Sequence, residues 1–308
     1  MHPTLTRTLR LLGLLEAGRL LELQLRLRQP RALPDAMIIG AMKCGTSSLH
    51  NYLAQHPGVI APLRKEVHYF DLHYDEGELW YRANFARSGE PGLNLDSSPY
   101  YLAHPLAPQR AHALVPNAGL IVLLRDPVRR AYSHYWHERD KQRETLPFEE
   151  AIAAEPTRLG DDEQRLARGE IRHSRAHQHF GYLARGRYAE QLERWWHVYP
   201  REQTLVLRFE DLAREPMSVL GRTLDFLGLP RVERVRLEAR NVRKYPPMDV
   251  YWRTLDFLAL PRIGQVRLEA RNARRYPPMN PATVERLRDY FAPHEARLQA
   301  LLGTRVEG

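Results

Sequence analysis

The sequence predicts a three-layer α/β/α fold built on a central parallel sheet. Two kinds of segment alternate along the chain: short apolar runs, typical of strands covered on both faces, and longer runs with helical spacing. The strand-like runs are 36–39, 59–60, 119–124 and 204–209, and the helical runs are 47–55, 128–139, 188–199 and 281–302. Because strands alternate with helices, we expect a parallel sheet whose loops meet at the carboxyl ends of the strands.

The first strand leads directly into a turn that carries two glycines. Gly40 and Gly45 have the spacing of a nucleotide-binding P-loop, and the hydroxyl residues 46–48 open the next helix. In such a turn, backbone N–H groups and the helix N-terminus face an anion. Lys43 lies inside the loop, whereas a P-loop lysine would occupy the position of Thr46. The stretch predicts a P-loop-like phosphate site, although any turn between a strand and a helix can carry two glycines.

The composition is that of a soluble globular protein with a basic bias. The chain has 308 residues, 43% of them hydrophobic, which is enough for one large domain or two small ones. Its net charge of +9 fits an anionic ligand or partner, or simply arginine at solvated positions, and no nucleic-acid-binding motif is present. The single cysteine, Cys44, excludes an intrachain disulfide and a cysteine-built zinc site, and it favours a reducing, cytoplasmic location.

Residues 1–34 form a segment distinct from the α/β pattern that occupies 35–308. Leucines with helical spacing are interrupted by arginine and glutamate, so the segment predicts a basic amphipathic helix and not a signal peptide. We expect this helix to pack on the domain or on a partner; peripheral contact with a membrane surface is the alternative. No apolar run reaches the roughly 18 residues of a transmembrane helix.

The C-terminal third contains a tandem duplication. Residues 222–249 and 253–280 match at 21 of 28 aligned positions, with an offset of 253 − 222 = 31 residues. Two copies are too few for a solenoid, which needs at least about three units to bury a continuous core. We therefore interpret the repeat as a local duplication, in which one copy keeps its native place and the other is inserted or replaces part of it.

Polar residues that could take part in catalysis or ligand binding concentrate in four segments. These are the loop 40–48, the segment 62–71 after the second strand, the segment 124–135 after the third, and the basic Arg-Asn-x-Arg-[Lys/Arg]-Tyr-Pro-Pro-Met of each repeat. The first three begin where predicted strands end, the position at which open α/β sheets bind ligands. Taken alone, Glu66 and His68 would be read as a surface salt bridge. In an extended segment, however, residues two apart project from the same side, so both would face the loop.

The order of these motifs resembles that of the sulfotransferases that use 3′-phosphoadenylyl sulfate (PAPS). The chain is most similar to the branch with the heparan sulfate N- and 3-O-sulfotransferases and their bacterial relatives. The resemblance runs from about residue 36 to about residue 302. It rests on K-x-G-T-[ST]-x-L, K-E-x-H-[FY]-F and R-D-P-x-x-R-[AS]-x-S-x-[YF], which occur here in the family's order.

The resemblance implies a role for each motif. The residues expected at the 5′-phosphosulfate end of PAPS are those of the first loop: Lys43, Cys44, Gly45, Thr46, Ser47 and Ser48. Arg125 and Ser133 would bind the 3′-phosphate, and Glu66 would be the general base. His68 would orient Glu66, contact the sulfate or share the base role. In the family a C-terminal basic loop completes the 3′-phosphate pocket; here that loop is either Arg274-Arg275-Tyr276, which we prefer, or Arg243-Lys244-Tyr245.

The residues themselves suit this chemistry. Sulfuryl transfer is an in-line displacement at sulfur, and Lys43 inside the loop suits a leaving phosphate oxygen. A guanidinium such as that of Arg125 can bind two phosphate oxygens, and no magnesium is required. Cys44 is expected to fill the turn and not to act as a nucleophile. Histidines at 134, 137, 173, 177 and 179 lack a completing acidic or cysteine ligand, so we expect them to be solvated or to face substrate, with no metal bound.

The sequence therefore predicts a PAPS-dependent sulfotransferase acting on a hydroxyl or amine of a carbohydrate, glycolipid or other hydroxylated acceptor. Two alternatives stay open. A nucleotide kinase or P-loop NTPase would depend on magnesium and would carry lysine at position 46. A non-catalytic binder of anionic polymers would bind without turnover.

Overall fold

The computed structural model describes residues 30–237 and 276–303, which contain a five-stranded parallel sheet flanked by helices. The strands are β1 (Ala36–Gly40), β2 (Val59–Ile60), β3 (Leu93–Ser97), β4 (Gly119–Leu124) and β5 (Thr204–Arg208). The helices are α1 (Thr46–Leu53), α2 (Gly77–Arg82), α3 (Ala107–Leu114), α4 (Pro127–Asp140), α5 (Phe148–Leu159), α6 (Asp162–Ala167), α7 (Arg175–His179), α8 (Tyr188–Trp196), α9 (Phe209–Arg214), α10 (Pro216–Phe226) and α11 (Pro281–Leu302). The predicted α/β fold with a central parallel sheet is confirmed.

The strand order places the first strand at the centre of the sheet. It is β2-β3-β1-β4-β5, so β1 pairs in parallel with β3 on one side and with β4 on the other. The chain builds one half of the sheet first and then crosses β1 to build the other half. Such a switch point opens a crevice at the carboxyl ends of the strands. The loop after β1 therefore lies between the segments that follow β3 and β4.

Two hydrophobic clusters hold the layers. The larger surrounds β1 and β4, whose apolar residues are almost completely buried, and includes Trp195 of α8. The smaller joins α4, α5 and α11 through residues such as Tyr135, Phe148 and Phe291. Asp126 caps α4, because its side chain accepts a hydrogen bond of 2.7 Å from the Arg129 N–H. These contacts fix α4, the helix that follows the central strand β4.

No strand was predicted at residues 93–97, which form β3. It pairs with β1 and β2, and its residues Asn94, Asp96 and Ser97 are buried. Polar residues normally argue against a strand covered on both faces. Here their hydrogen bonds compensate for burial: the Asn94 side chain accepts from the Ala86 N–H at 3.0 Å, and Asp96 accepts from two tyrosines.

The N-terminal prediction lies largely outside the described residues, which begin at Pro30. From there Arg31 forms an isolated bridge with Arg87, and Leu33 packs against the larger core. Within 30–237 and 276–303, no helix is both long enough and apolar enough to cross a bilayer.

The described residues include part of each repeat copy. The first copy begins inside α10, where Leu224 is buried, and its residues Leu229 and Val232 pack on the larger core. The second copy ends in Tyr276–Asn280, and the Asn280 side chain caps α11 by accepting from the Ala282 N–H. The described part of the repeat is thus the beginning of the first copy and the end of the second.

Candidate active site

The loop between β1 and α1 presents unpaired backbone donors. Gly45, the residue before α1, has a φ of 86°. No described carbonyl accepts from the N–H groups of Gly45, Thr46 or Ser47, whereas the Ser48 N–H donates to the Gly45 carbonyl at 2.9 Å. Unpaired N–H groups at a helix N-terminus bind anions. The loop therefore fits a phosphate, with three N–H donors.

Lys43 lies at the centre of this loop in a conformation that side chains rarely adopt. Its φ is 71°, in the left-handed region. Burial, and after it the nearby charges of Arg125 and Lys141, lower the pKa of its ammonium to about 8. The loop thus holds a lysine that is destabilised as a cation and would be stabilised by an anion.

Cys44, which the resemblance assigns to donor binding, lies buried in the turn with its thiol and its N–H already in contact with other groups of the chain. Its side chain is completely buried, with Sγ 3.8 Å from the Tyr188 hydroxyl, and its N–H donates to the Ala41 carbonyl at 3.2 Å. Burial raises the pKa of its thiol to about 11. Cys44 therefore fills the turn, as predicted, and it has no N–H or thiolate left for an anion.

Arg125 follows β4 and reaches the same loop. Its Nη1 donates to the Lys43 carbonyl at 3.2 Å, and its guanidinium lies 4.5 Å from the centre of the Phe209 ring. Its Nε is buried and has no partner in the described part of the chain. A guanidinium with an unused donor is suited to an oxyanion.

Ser133 lies about two turns into α4, on the helix that Arg125 introduces. Its side chain is buried, and no hydrogen bond to its hydroxyl occurs within 30–237 or 276–303. The end of the second repeat copy packs on the same helix. The Tyr276 ring stacks on Trp136 with centroids 5.5 Å apart, and the Tyr132 hydroxyl donates to the Pro277 carbonyl at 2.9 Å. Arg243, Lys244, Tyr245, Arg274 and Arg275 lie outside the described residues.

The segment after β2 brings Glu66 and His68 together by a different geometry from the one predicted. Glu66 has a φ of 59° and His68 a φ of 57°, so the segment is not extended. The His68 N–H donates to the Ser98 hydroxyl at 3.0 Å, and the Tyr69 N–H donates to the Tyr101 hydroxyl at 2.8 Å. Residues held in sparsely populated conformations persist where surrounding contacts determine them, and they concentrate at functional sites.

Glu66, His68 and Asp71 form a line of alternating charge. His68 Nε2 lies 3.6 Å from Glu66 Oε2, and His68 Nδ1 lies 2.9 Å from Asp71 Oδ2. Burial alone would lower the pKa of His68, yet the carboxylates of Asp71 and Glu66 raise it to about 10. Burial alone would raise the pKa of Glu66, but His68 and Lys65 hold it well below its usual value. At neutral pH the carboxylate is thus ready to accept a proton, and the imidazolium is not.

Lys65 connects the two loops. Its Nζ donates to the Ser47 hydroxyl at 2.8 Å and to Glu66 Oε1 at 2.9 Å. The structure therefore places the candidate base next to the loop with the unpaired N–H groups.

Asp96 at the end of β3 supports this arrangement and is not a magnesium ligand of the P-loop NTPase kind. It is completely buried, and it accepts hydrogen bonds of 2.9 Å from the hydroxyls of Tyr81, Ser98 and Tyr101. Burial raises its pKa above the ordinary value. The hydroxyls of Ser98 and Tyr101 in turn accept hydrogen bonds from the N–H groups of residues 68 and 69. Asp96 thereby fixes the segment that carries Glu66.

Two of the five histidines, His134 and His177, differ from their predicted exposure, whereas His173 is exposed. His134 is completely buried, and His177 is buried with Nδ1 2.7 Å from the Tyr100 hydroxyl. Their apolar burial lowers both pKa values, so both are neutral packing residues. In the described ranges, no group of three or more His, Cys, Asp or Glu side chains could hold a metal ion.

Two polar residues of the site were not assigned from the sequence. Asp71 orients His68 and could have been found, because it follows the histidine by three residues in the same motif. Arg185 donates through Nη1 to Met42 Sδ at 2.9 Å, and its guanidinium lies 4.5 Å from the centre of the Tyr100 ring. Nothing in the sequence around Arg185 signals this approach, which depends on the packing of α4 and α8.

With this geometry established, comparisons with known proteins identify the class. The profile of the sulfotransferase domain family matches residues 33–245. A solved sulfotransferase from Alicyclobacillus acidocaldarius is 30% identical and superposes with a TM-score of 0.63, covering 89% of this chain and 98% of that one. The chain therefore belongs to the sulfotransferase family.

Curated relatives point to the same family. Over 218 residues the chain is 34% identical to heparan sulfate glucosamine 3-O-sulfotransferase 6 of Mus musculus. Over 278 residues it is 29% identical to the membrane-associated sulfotransferase kil1 of Dictyostelium discoideum. Each match covers 68% of this chain but 59% of the relative. The chain thus spans less than two thirds of the length of these relatives.

Proposed function

We propose that this protein transfers the sulfuryl group of PAPS to a hydroxyl or amine of an acceptor, releasing adenosine 3′,5′-bisphosphate. The observation that carries the proposal is the meeting of two loops. Lys65 joins Ser47, beside the unpaired N–H groups, to Glu66, the ionised candidate base. Family membership supports PAPS as the donor. The geometry supports it too, because sulfuryl transfer from PAPS requires an anion site and a base in contact.

In this mechanism each group has a defined task. Glu66 takes the proton of the acceptor hydroxyl as its oxygen bonds to sulfur. Lys43 neutralises the phosphate oxygen whose bond to sulfur breaks, and the N–H groups of 45–47 hold the phosphate that stays behind. His68, kept cationic by Asp71, orients Glu66. Arg125 and Ser133 hold the 3′-phosphate through the donors that the described residues leave unused.

We propose a carbohydrate or glycolipid as the acceptor. The support is the name of the relative from Mus musculus, whose acceptor is a glucosamine of heparan sulfate. The net charge of +9 would favour an anionic glycan. For residues 1–34, peripheral contact with a membrane surface is a proposal, supported by their amphipathic pattern and by a relative described as membrane-associated. A cytoplasmic location stays a prediction from the single cysteine.

The donor pocket is proposed to be completed by the second repeat copy, through Arg274 and Arg275. Tyr276, the next residue, stacks on Trp136 of α4, one turn beyond Ser133. Tyr276 directly follows Arg275 in the sequence, and its contact with this helix supports the assignment of the pocket to the second copy.

A nucleotide kinase or NTPase is the competing proposal, and calorimetric titration separates the two. A sulfotransferase should bind adenosine 3′,5′-bisphosphate without added metal and should bind ATP with magnesium more weakly. The Ser133→Ala variant should lose affinity for the bisphosphate but not for adenosine 5′-phosphate, which lacks the 3′-phosphate. Tighter binding of magnesium-ATP than of the bisphosphate would overturn the proposed donor.

A further inference from the structure

Lys65 makes the direct link between the donor loop and the candidate base. Its Nζ lies 2.8 Å from Ser47 Oγ and 2.9 Å from Glu66 Oε1, and its side chain is 31% exposed. Between these two short contacts the ammonium is held by both loops at once. Exposed lysines rarely form ion pairs of measurable strength. Stability therefore does not explain why a lysine bridges two functional segments, and we look for a functional explanation.

The contact with Ser47 fixes what the hydroxyl can do. An ammonium has three donors and no acceptor, so Lys65 occupies a lone pair of Ser47 Oγ. The proton of that hydroxyl then remains for another acceptor, and none is found in residues 30–237 or 276–303. Ser47 belongs to the first turn of α1, where the unpaired N–H groups lie. Because Lys65 donates to the Ser47 hydroxyl, that hydroxyl is left to donate its own hydrogen bond at the anion site.

The contact with Glu66 fixes the other end. Lys65 takes Oε1, whereas Oε2 faces His68. The backbone around Glu66 is held in left-handed conformations, and the Ser98 hydroxyl anchors it at His68. The remaining freedom of Glu66 lies mainly in its side chain, which Lys65 and His68 restrain from two sides.

We propose that Lys65 is a positioning residue that couples occupation of the donor loop to the alignment of Glu66. This inference rests on the proposed function. An anion at the loop engages Ser47, and through Ser47 it draws the ammonium into a defined position, which in turn fixes the carboxylate. Because coupled binding equilibria are reciprocal, Lys65 must contribute to donor binding. Its contribution to turnover is a separate effect, exerted through the alignment of Glu66.

A double-mutant cycle tests the binding half of the inference. The affinity for adenosine 3′,5′-bisphosphate is measured by calorimetry for the wild type, Ser47→Ala, Lys65→Met and the double variant. Because methionine keeps the length of the side chain without its charge, we expect Lys65→Met to weaken binding about tenfold. In the Ser47→Ala background its effect should shrink to about twofold, because Lys65 acts through Ser47. Lys141→Met removes an equal charge near Lys43 and should combine with Ser47→Ala additively.

The pH dependence of turnover tests the other half. Without Lys65, His68 still lowers the pKa of Glu66 but Lys65 no longer does, so that pKa should rise. As the solution is acidified, the rate of Lys65→Met should therefore begin to fall at a higher pH than the wild-type rate. Both results are required. Additive affinities, or a variant profile that parallels the wild type, would overturn this inference alone. A wild-type chain that fails to bind the nucleotide would overturn the proposed function together with it.

Discussion

At the scale of single residues, the fold shifts the pKa values of ionisable groups at the site away from their ordinary values. Burial, Arg125 and Lys141 lower the pKa of Lys43, whereas two carboxylates raise that of His68. Neither shift follows from the sequence, because it depends on distances between loops. The residue types were nevertheless predictable: Lys43, Glu66, Arg125 and Ser133 were selected from their motifs, and the structure brings their segments to one edge of the sheet.

These shifts predict an asymmetric pH profile. Lys43 must be charged, and its pKa lies near 8, so kcat/KM for the donor should fall as the pH rises above about 8. The pKa of Glu66 lies well below its usual range and that of His68 near 10, so neither should produce a limb between about pH 5 and 7. Initial rates at low donor concentration measure this. An acid limb near pH 6.5 would instead indicate a neutral histidine acting as the base.

Gly45 gives a second prediction at this scale. A Cβ at Gly45 would lie 2.9 Å from Phe209 Cδ2, and its φ is 86°. We expect Gly45→Ala to weaken binding of adenosine 3′,5′-bisphosphate at least about tenfold, or 1.4 kcal/mol, because Phe209 must move and it also supports Arg125. Gly89→Ala is the matched control, since Gly89 has a φ of 83° with nothing within 4 Å. Equal losses in the two variants would contradict a specific role of the loop between β1 and α1 in binding the nucleotide.

At the scale of secondary structure elements, α4 carries the largest share of the site. It begins after Arg125, bears Ser133, and supports the end of the second repeat copy through Trp136 and Tyr132. Its start depends on one side chain, because the Asp126 carboxylate accepts from the Arg129 N–H at 2.7 Å. The helix α4 therefore contributes both to the stability of the fold and to the proposed donor site.

Removing this cap should destabilise the fold measurably. We expect Asp126→Ala to lower the free energy of unfolding by about 1 kcal/mol, measured by urea denaturation, because a helix donor loses its partner. Asp126→Asn keeps an acceptor oxygen and should lose much less. An equal loss in both variants would mean that the negative charge of Asp126 at the helix N-terminus matters more than its hydrogen bond to the Arg129 N–H.

The elements show what sequence patterns can and cannot predict. The bounds of β2, β4 and α11 were predicted as they are observed, because continuous apolar runs and clear helix boundaries define them. The strand β3 was missed as a full strand, because Asp96 and Asn94 interrupt its apolar character and only tertiary hydrogen bonds explain their burial. The left-handed backbone at Glu66 and His68 could not be predicted, because it depends on tertiary contacts such as the hydrogen bond from the His68 N–H to the Ser98 hydroxyl.

At the scale of the whole molecule, the tandem duplication is the feature that distinguishes this chain. The described residues enter the repeat through the first copy and leave it through the second, as one copy would do alone. The repeat was recognisable from the sequence, but the division of work between its copies was not, because both copies carry the same local patterns.

Removal of one repeat period should therefore be tolerated. Deleting residues 238–268 joins Leu237 to Glu269, restores the sequence Arg-Leu-Glu-Ala-Arg found in each copy, and retains Arg274 and Arg275. We expect the shortened protein to unfold cooperatively and to bind adenosine 3′,5′-bisphosphate as the full chain does. In the full chain, Arg274→Ala should weaken this binding and Arg243→Ala should not. Loss of binding on deletion, or on Arg243→Ala alone, would assign the pocket to the first copy.

The central claim, that the two loops form a sulfuryl-transfer site, is tested most directly by transfer of labelled sulfate from PAPS. The protein is incubated with a panel of glycans, glycolipids and phenols, beside its Lys43→Ala variant. The account predicts labelling of at least one acceptor by the wild type, reduced about 100-fold or more in Lys43→Ala, because a preorganised charge at the leaving oxygen is lost. Equal labelling by the two proteins, or none by the wild type with any acceptor, would contradict it.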